Sequence, residues 1–131
     1  MKLVRTDHYC NEVQKIEKEA NLDKIIIKIG RKYYFLDKSS IDWIEADEGY
    51  IKVHSNQKYF HLRMTLRDIE KKLNSDYFIR INRSTIVNMQ KIKELETGQQ
   101  STEFIVRLEN DVRLNWRRQY RKNFPVSMVY K

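Results

Sequence analysis

Two clusters of side chains in the second half of the sequence have the types and spacing needed to read nucleic acid. The first is Arg80, followed by the polar run Asn82-Arg83-Ser84. An Arg fork binds guanine O6 and N7 together, Asn pairs in the same bidentate way with adenine, and Ser suits a phosphate oxygen. A short turn with these three residues would therefore hold two base readers and a phosphate anchor side by side.

The second cluster lies in a predicted helix of about residues 116–123, which ends at Phe124-Pro125. Arg117 and Arg121 would share one face of that helix, and its first amides would attract phosphate. Both clusters also have an ordinary structural interpretation, since arginines at this spacing often form a solvated helix face. Arg80 could equally pair across a sheet with an acid, and the choices are Glu94, Glu96 and Glu109.

The charge of the chain is concentrated near these clusters. Its 26 basic and 18 acidic side chains give a net charge of +8 over 131 residues. Residues 1–65 have a net charge of +2 and residues 66–131 one of +6, and no acid follows Asp111. A basic half is typical of nucleic-acid binding, although many small basic proteins bind nothing specific.

Other classes of chemistry have little support in the sequence. One Cys excludes a disulfide framework, and the three His lack the spacing of metal ligands. The acids between residues 42 and 48 are better interpreted as a solvated loop than as a catalytic pair. We therefore predict no enzyme activity, cofactor, metal or small-molecule substrate. No apolar run reaches membrane length and no secretory segment begins the chain, so we predict a cytoplasmic protein without membrane contact.

Short β-strands and tight turns must position the two clusters. The β-branched run at residues 24–29 and the aromatic run at 32–36 predict a hairpin around Gly30-Arg31. Alternating residues at 50–54 and 58–63 predict another. Thr65 and Asp68 have the form of a capping box before a helix of about residues 66–73. Further strands are predicted at 92–96, 104–108 and 112–114, and an amphipathic helix at 7–20.

Three segments carry a family resemblance. Residues 44–53, 65–73 and 78–88 closely resemble the LytTR DNA-binding domain. The run from Phe78 to Asn88 matches the signature F-x-R-x-H-R-S-x-x-V-N at unbroken spacing, with Asn82 at the His position. The resemblance implies a mainly β, elongated arrangement of small antiparallel sheets with two short helices, in addition to the N-terminal helix. It also implies a bacterial regulator, related to two-component systems, that reads the DNA major groove from loops and bends the duplex.

The resemblance places three parts of the chain against DNA, namely the Gly49-Tyr50 loop, the Asn82-Arg83-Ser84 turn and the start of the last helix. It implies double-stranded DNA with repeated half-sites and two protomers on it. We expect a helical extension at 1–21, a LytTR-like domain at 22–124 and a tail at 125–131, with no receiver domain. The predicted base readers are Arg83, Arg117, Asn82 and Tyr50, and the predicted phosphate or positioning residues are Arg80, Ser84, Lys52, Gly49, Arg118 and Arg121.

The sequence is also compatible with two other functions. A module for single strands or RNA would stack bases on exposed aromatic side chains, with Tyr33, Tyr34, Tyr59 and Phe60 available. A protein-interaction module would instead use the predicted helix at 7–20.

Overall fold

A computed structural model describes residues 23–98 and 104–130, and within them the chain is mainly β. The strands pair antiparallel into sheets of two, five and three strands, which confirms the predicted fold class. The helix predicted at 7–20 lies outside the described residues. In the described part of the chain, no helix is long and apolar enough to cross a membrane.

The strands are β1 (Lys24–Ile29), β2 (Lys32–Asp37), β3 (Ile41–Asp47), β4 (Tyr50–Ser55), β5 (Lys58–Leu62), β6 (Phe78–Asn82), β7 (Thr85–Asn88), β8 (Ile92–Thr97), β9 (Phe104–Leu108) and β10 (Arg113–Trp116). The helix α1 spans Leu66–Leu73, and short 3₁₀ helices span Lys38–Ser40, Met89–Lys91, Arg118–Asn123 and Val126–Met128.

The chain divides into two compact units, Met1–Ser40 and Ile41–Lys131. The described part of the first unit contains the β1–β2 hairpin and the 3₁₀ helix Lys38–Ser40. The hairpin turns at Gly30 and confirms the prediction from the sequence. Ile25 and Ile27 are its buried side chains. The second unit contains the five-stranded and three-stranded sheets and both predicted DNA-reading clusters.

The five-stranded sheet, in the order β5-β4-β3-β7-β6, brings two turns to one of its ends. The β3–β4 turn is Glu48-Gly49, and both residues have positive φ, 45° and 84°, as a tight two-residue hairpin requires. β7 begins beside the end of β3, where Thr85 pairs with Glu45. The β6–β7 turn at Arg83-Ser84 therefore lies at the same end of the sheet as the β3–β4 turn.

Helix α1 follows β5 and begins as the sequence predicts. The Thr65 hydroxyl accepts a hydrogen bond from the Asp68 amide at 3.1 Å, and the Asp68 carboxylate accepts one from the Thr65 amide at 3.4 Å. This reciprocal capping box satisfies two amides that the first helical turn leaves without partners. Apolar residues at helical spacing then bury one face of α1, and these are Leu66, Ile69 and Leu73.

We expect Thr65→Ala to lower the free energy of unfolding by about 1 kcal/mol, because it removes the acceptor at the helix N-cap. Urea denaturation followed by circular dichroism measures this loss. Thr65→Ser retains the hydroxyl and is the matched control, with stability close to that of the parent. Equal losses for Thr65→Ala and Thr65→Ser would show that the hydroxyl cap is not the cause.

The three-stranded sheet, in the order β10-β9-β8, shares a core with the five-stranded sheet. On the surface of the smaller sheet, Arg107 donates to Glu94 at 2.6 Å and to Asp111 at 3.0 Å. The hydrogen bond from Arg107 lowers the pKa of Glu94, which favours the ionised pair. The buried members of the shared core are Ile81, Val87, Val106, Leu108 and Trp116.

The helix predicted at 116–123 is shorter than expected and of a different type. Trp116 is the last residue of β10, and the helix is a 3₁₀ helix at Arg118–Asn123. A 3₁₀ helix has three residues per turn, so residues four apart do not share a face. The expectation that Arg117 and Arg121 lie on one helical face is therefore wrong.

Candidate nucleic-acid interface

The β6–β7 turn is held in shape by the side chain of Asn82. The Asn82 Oδ1 atom accepts a hydrogen bond from the Ser84 amide at 2.8 Å, which is an Asx turn. The Ala46 amide on β3 donates to the Ser84 carbonyl at 2.9 Å and ties the turn to the sheet. The side chains of Arg83 and Ser84 are exposed at the tip of this fixed turn.

Arg80 stabilises the same turn through hydrogen bonds to its backbone. Its guanidinium donates to the Arg83 carbonyl, to the Asn82 carbonyl at 3.4 Å and to Glu70 of α1 at 3.2 Å. The interpretation of Arg80 as a partner of an acid across the sheet is therefore wrong, because its acid lies on the helix. Two of the three contacts direct this guanidinium at the backbone of the turn, and the third ties it to α1.

The second cluster is joined to the first by three hydrogen bonds, one of which is a long bond of 3.4 Å from Asn123 Nδ2 to the Arg80 carbonyl. β6 has an irregularity between Arg80 and Asn82, and the Ile81 carbonyl there accepts from the Arg117 amide at 2.8 Å. The Asn82 Nδ2 atom donates to the Asn115 carbonyl at 2.8 Å. Trp116 lies between these two attachment points in the sequence and is buried. The segment from Asn115 to Arg117 is thus attached to the strand that precedes the first turn.

A groove of about 890 Å³ opens between the two clusters, and we name it the arginine groove. Its lining includes four arginines and a single acid, Glu45, so its charge is strongly positive. Glu45 is itself paired, because its carboxylate lies 3.3 Å from His54 Nε2 and 3.9 Å from Lys52 Nζ. The four arginines are Arg83, Arg113, Arg117 and Arg118.

The third predicted DNA-facing part, the Gly49-Tyr50 loop, lies at the same end of the sheet but outside the lining of the groove. The ring of Tyr50 is stacked on His61 with the centroids 4.6 Å apart. Lys52 is half-buried and lies 4.9 Å from the centroid of the Tyr59 ring. The arginine groove thus unites two of the three predicted parts.

Arg121 lies outside the arginine groove. Its guanidinium carbon is 3.9 Å from the centroid of the Phe104 ring, on the three-stranded sheet. Arg118 and Gln119, which begin the same 3₁₀ helix, do line the groove. Arg118 and Arg121 lie one 3₁₀ turn apart, and of the two only Arg118 lines the groove, while Arg121 packs on Phe104.

Sequence reasoning missed Arg113 and Asn115 as lining residues of the groove. Exposed and less exposed side chains alternate along β10, with Arg113 and Asn115 exposed and Trp116 buried. This period of two is the signal of a strand with one buried face, and it was available in the sequence. Extending the strand to Trp116 would have placed Arg113 and Asn115 together on its polar face.

Two of the three acids of β3 contact histidines of the same sheet, one on β4 and one on β5. Glu45 contacts His54 and Asp47 lies 3.0 Å from His61 Nε2. Within residues 23–98 and 104–130, no group of three or more His, Cys, Asp or Glu side chains is arranged to hold a metal ion. Burial raises the pKa of Asp42, which lies 3.9 Å from Lys91.

Comparison with known proteins gives this geometry a context. The LytTR model, described as the LytTr DNA-binding domain, matches residues 31–127. The transcriptional regulatory protein LytR of Staphylococcus aureus is 33% identical over 110 residues, which are 83% of this chain and 44% of LytR. The sensory transduction protein LytT of Bacillus subtilis is 31% identical over 83 residues, covering 63% of this chain and 34% of LytT. This chain therefore spans less than half the length of these relatives.

A solved structure has the same fold. It is the LytTr DNA-binding domain of a response regulator from Bacillus cereus, with a TM-score of 0.68 and 23% sequence identity. The match covers 79% of this chain and 97% of that domain. Together with the family match over residues 31–127, this similarity in fold leads to one conclusion: the chain belongs to the LytTR DNA-binding domain family.

Proposed function

We propose that this chain is a transcription regulator that binds double-stranded DNA in a sequence-specific manner through the arginine groove. The observation that carries the proposal is the convergence of four arginines on one open groove with a single, paired acid. Such a surface attracts a polyanion, and arginine forks supply the geometry that recognises guanine. A cytoplasmic location and the absence of enzyme activity are part of the same proposal.

Arg83 and Arg117 are the proposed readers of base edges. Arg83 is exposed on the short β6–β7 turn, and Arg117 is exposed at the residue that precedes the 3₁₀ helix. Both therefore project from rigid backbone segments, which favours precise contacts to bases. Tyr50 is the proposed contact from the neighbouring turn.

The proposed contacts to phosphate surround these readers. Arg118 and Ser84 line the groove, while Gly49 and Lys52 lie at or next to the β3–β4 turn at the same end of the sheet. Arg121 completes the set beside the second segment, and Arg80 is the proposed positioning residue, because its guanidinium holds the backbone of the first turn. Reading from turns at one end of the sheet is consistent with major-groove recognition and bending of DNA by two protomers on repeated half-sites.

Replacing either Arg83 or Arg117 with alanine is expected to cost about 1–3 kcal/mol of binding free energy and to relax the base preference at one position. The reason is the loss of a bidentate contact to one base pair. Duplexes are first selected from a random library with the parent protein. Mobility-shift titrations then compare the best duplex with its single-base substitutions.

Arg67→Ala is the matched control, because Arg67 is exposed on α1 and lies outside the groove lining. Unchanged affinity and preference in both groove variants would refute the assignment of the readers. Competition with single-stranded DNA and RNA tests the alternative module, and a stronger competitor than duplex would favour it. Circularly permuted fragments of the selected duplex test bending by their mobility.

A further inference from the structure

We propose that Asn82 is a positioning residue that locks the two arginine-bearing segments of the groove into one reading unit, rather than a reader of bases. This inference rests on the proposed function of the groove. It concerns how Arg83 and Arg117 cooperate, which neither the charge of the groove nor the family match determines.

Both polar atoms of the Asn82 side chain are engaged within the protein. Oδ1 accepts from the Ser84 amide and Nδ2 donates to the Asn115 carbonyl, each at 2.8 Å. A bidentate contact to adenine needs the same donor and the same acceptor. Reading a base with Asn82 would therefore break both internal hydrogen bonds.

The two bonds have different partners, and this makes Asn82 a link. One bond shapes the turn that carries Arg83, and the other fixes the strand residue that lies two positions before Arg117. A third bond, from the Arg117 amide to the Ile81 carbonyl at 2.8 Å, is parallel to this link. The separation of the two arginines is thus set by hydrogen bonds around a single residue.

The two segments that Asn82 links are also anchored in the core. Ile81 and Trp116, the neighbours of the linked residues, are fully or almost fully buried in one core, with exposures of 0% and 1%. A displacement of either segment would disturb this packing, since protein interiors are close-packed. Asn82 extends the rigidity of the core to the exposed edge at which the arginines lie.

The test is a set of double-mutant cycles on DNA affinity with a selected duplex. In the parent background, we expect the effects of Arg83→Ala and Arg117→Ala to be coupled. In the Asn82→Ala background, the coupling is clearly reduced, with only the parallel bond from Arg117 to Ile81 and the core left to hold the segments, and affinity falls about tenfold, as the loss of one or two hydrogen bonds implies. The base preference of the Asn82→Ala variant weakens at the base pairs that Arg83 and Arg117 read. It does not weaken at any further base pair.

Asn82→Asp is the second variant, because it retains the acceptor for Ser84 and loses only the donor to Asn115. The added carboxylate also interacts with the nearby arginines of the groove, so the deciding result in this variant is whether the coupling between Arg83 and Arg117 persists. This variant also keeps the inference testable where Asn82→Ala does not fold. Persistence of the coupling in Asn82→Asp would overturn the inference.

Asn110→Ala is the matched control, because Asn110 forms a similar Asx turn with the Val112 amide at 3.2 Å, outside the groove. It is expected to leave the coupling intact. Loss of preference at one base position only, with unchanged effects of the two arginine variants, would make Asn82 a reader and refute the positioning role. If Arg83→Ala and Arg117→Ala change neither the affinity for DNA nor the base preference, the proposed function itself is refuted. Failure of the proposed function is thus distinguishable from failure of the positioning role.

Discussion

Trp116→Ala is expected to lower the free energy of unfolding by about 3–5 kcal/mol, the range for removing a large aromatic side chain from a packed core. Trp116 is only 1% exposed. Its ring lies edge-on to Phe124 with the centroids 5.5 Å apart, and its indole nitrogen donates to the Tyr120 carbonyl at 2.9 Å. The substitution therefore removes packing and leaves that carbonyl without its partner.

The loss is large compared with the total stability of a domain, which is about 5–15 kcal/mol. Urea denaturation followed by circular dichroism and fluorescence measures it. Tyr130→Ala is the matched control, because this aromatic residue is 94% exposed and its replacement should change stability by less than about 0.5 kcal/mol. A loss below about 1 kcal/mol for Trp116→Ala would mean that the shared core does not depend on this residue.

Trp116→Phe separates packing from hydrogen bonding. Phenylalanine keeps a ring opposite Phe124 and loses the donor to Tyr120. The free energy of unfolding of this variant should therefore lie between those of the parent and the alanine variant. Since Trp116 lies between Asn115 and Arg117, both substitutions should also weaken DNA binding at temperatures where the protein is folded. The stability of the core and the precision of the groove thus depend on the same side chain.

Local patterns in the sequence were enough to predict the elements whose physics is local. Helix α1 was predicted with its bounds because the Thr65 and Asp68 cap and the apolar spacing act within a few residues. The short turns at Gly30-Arg31 and at residues 55–57 have the residues that a tight hairpin needs, and both predicted hairpins, β1–β2 and β4–β5, are present. The mainly β class followed from these repeated short strands.

The end of the chain was harder to predict because two periods compete there. Arginines at 117, 118 and 121 suggested a helical face, whereas Arg113, Asn115 and the buried Trp116 follow the period of a strand. The packing of Trp116 into the core favours the strand over the helix. The secondary-structure propensities of the residues do not contain that information. The predicted helix was therefore replaced by a strand and a short 3₁₀ turn.

The link between the two clusters could not be predicted from local sequence at all. Asn82 and the carbonyl of Asn115 are separated by 33 positions, and main-chain acceptors carry no signature in the residue type. The Asx turn to Ser84 was accessible, since Asn before a two-residue turn commonly bonds the backbone two residues later. The sequence thus indicated which residues carry the chemistry, and the fold determined which of them act together.

The affinity of this chain for DNA should fall steeply as the salt concentration rises. Each phosphate that is neutralised contributes about −0.9 to the slope of log K against log salt. With about three to four such contacts per protomer, the slope is about −3, and raising the salt from about 50 to about 200 mM should weaken binding roughly 60-fold. Fluorescence anisotropy with a labelled duplex at several salt concentrations measures this slope.

Arg118→Ala should make the slope shallower by about one unit and weaken selected and unrelated duplexes alike, because a phosphate contact carries no sequence information. Arg118 is exposed and lines the arginine groove, whereas Arg67 is equally charged and exposed but lies outside it. Arg67→Ala should therefore leave the slope unchanged. Equal slopes for the parent and both variants would place the phosphate-binding surface elsewhere. A slope that changes for Arg118→Ala and not for Arg67→Ala would assign a phosphate contact to the arginine groove.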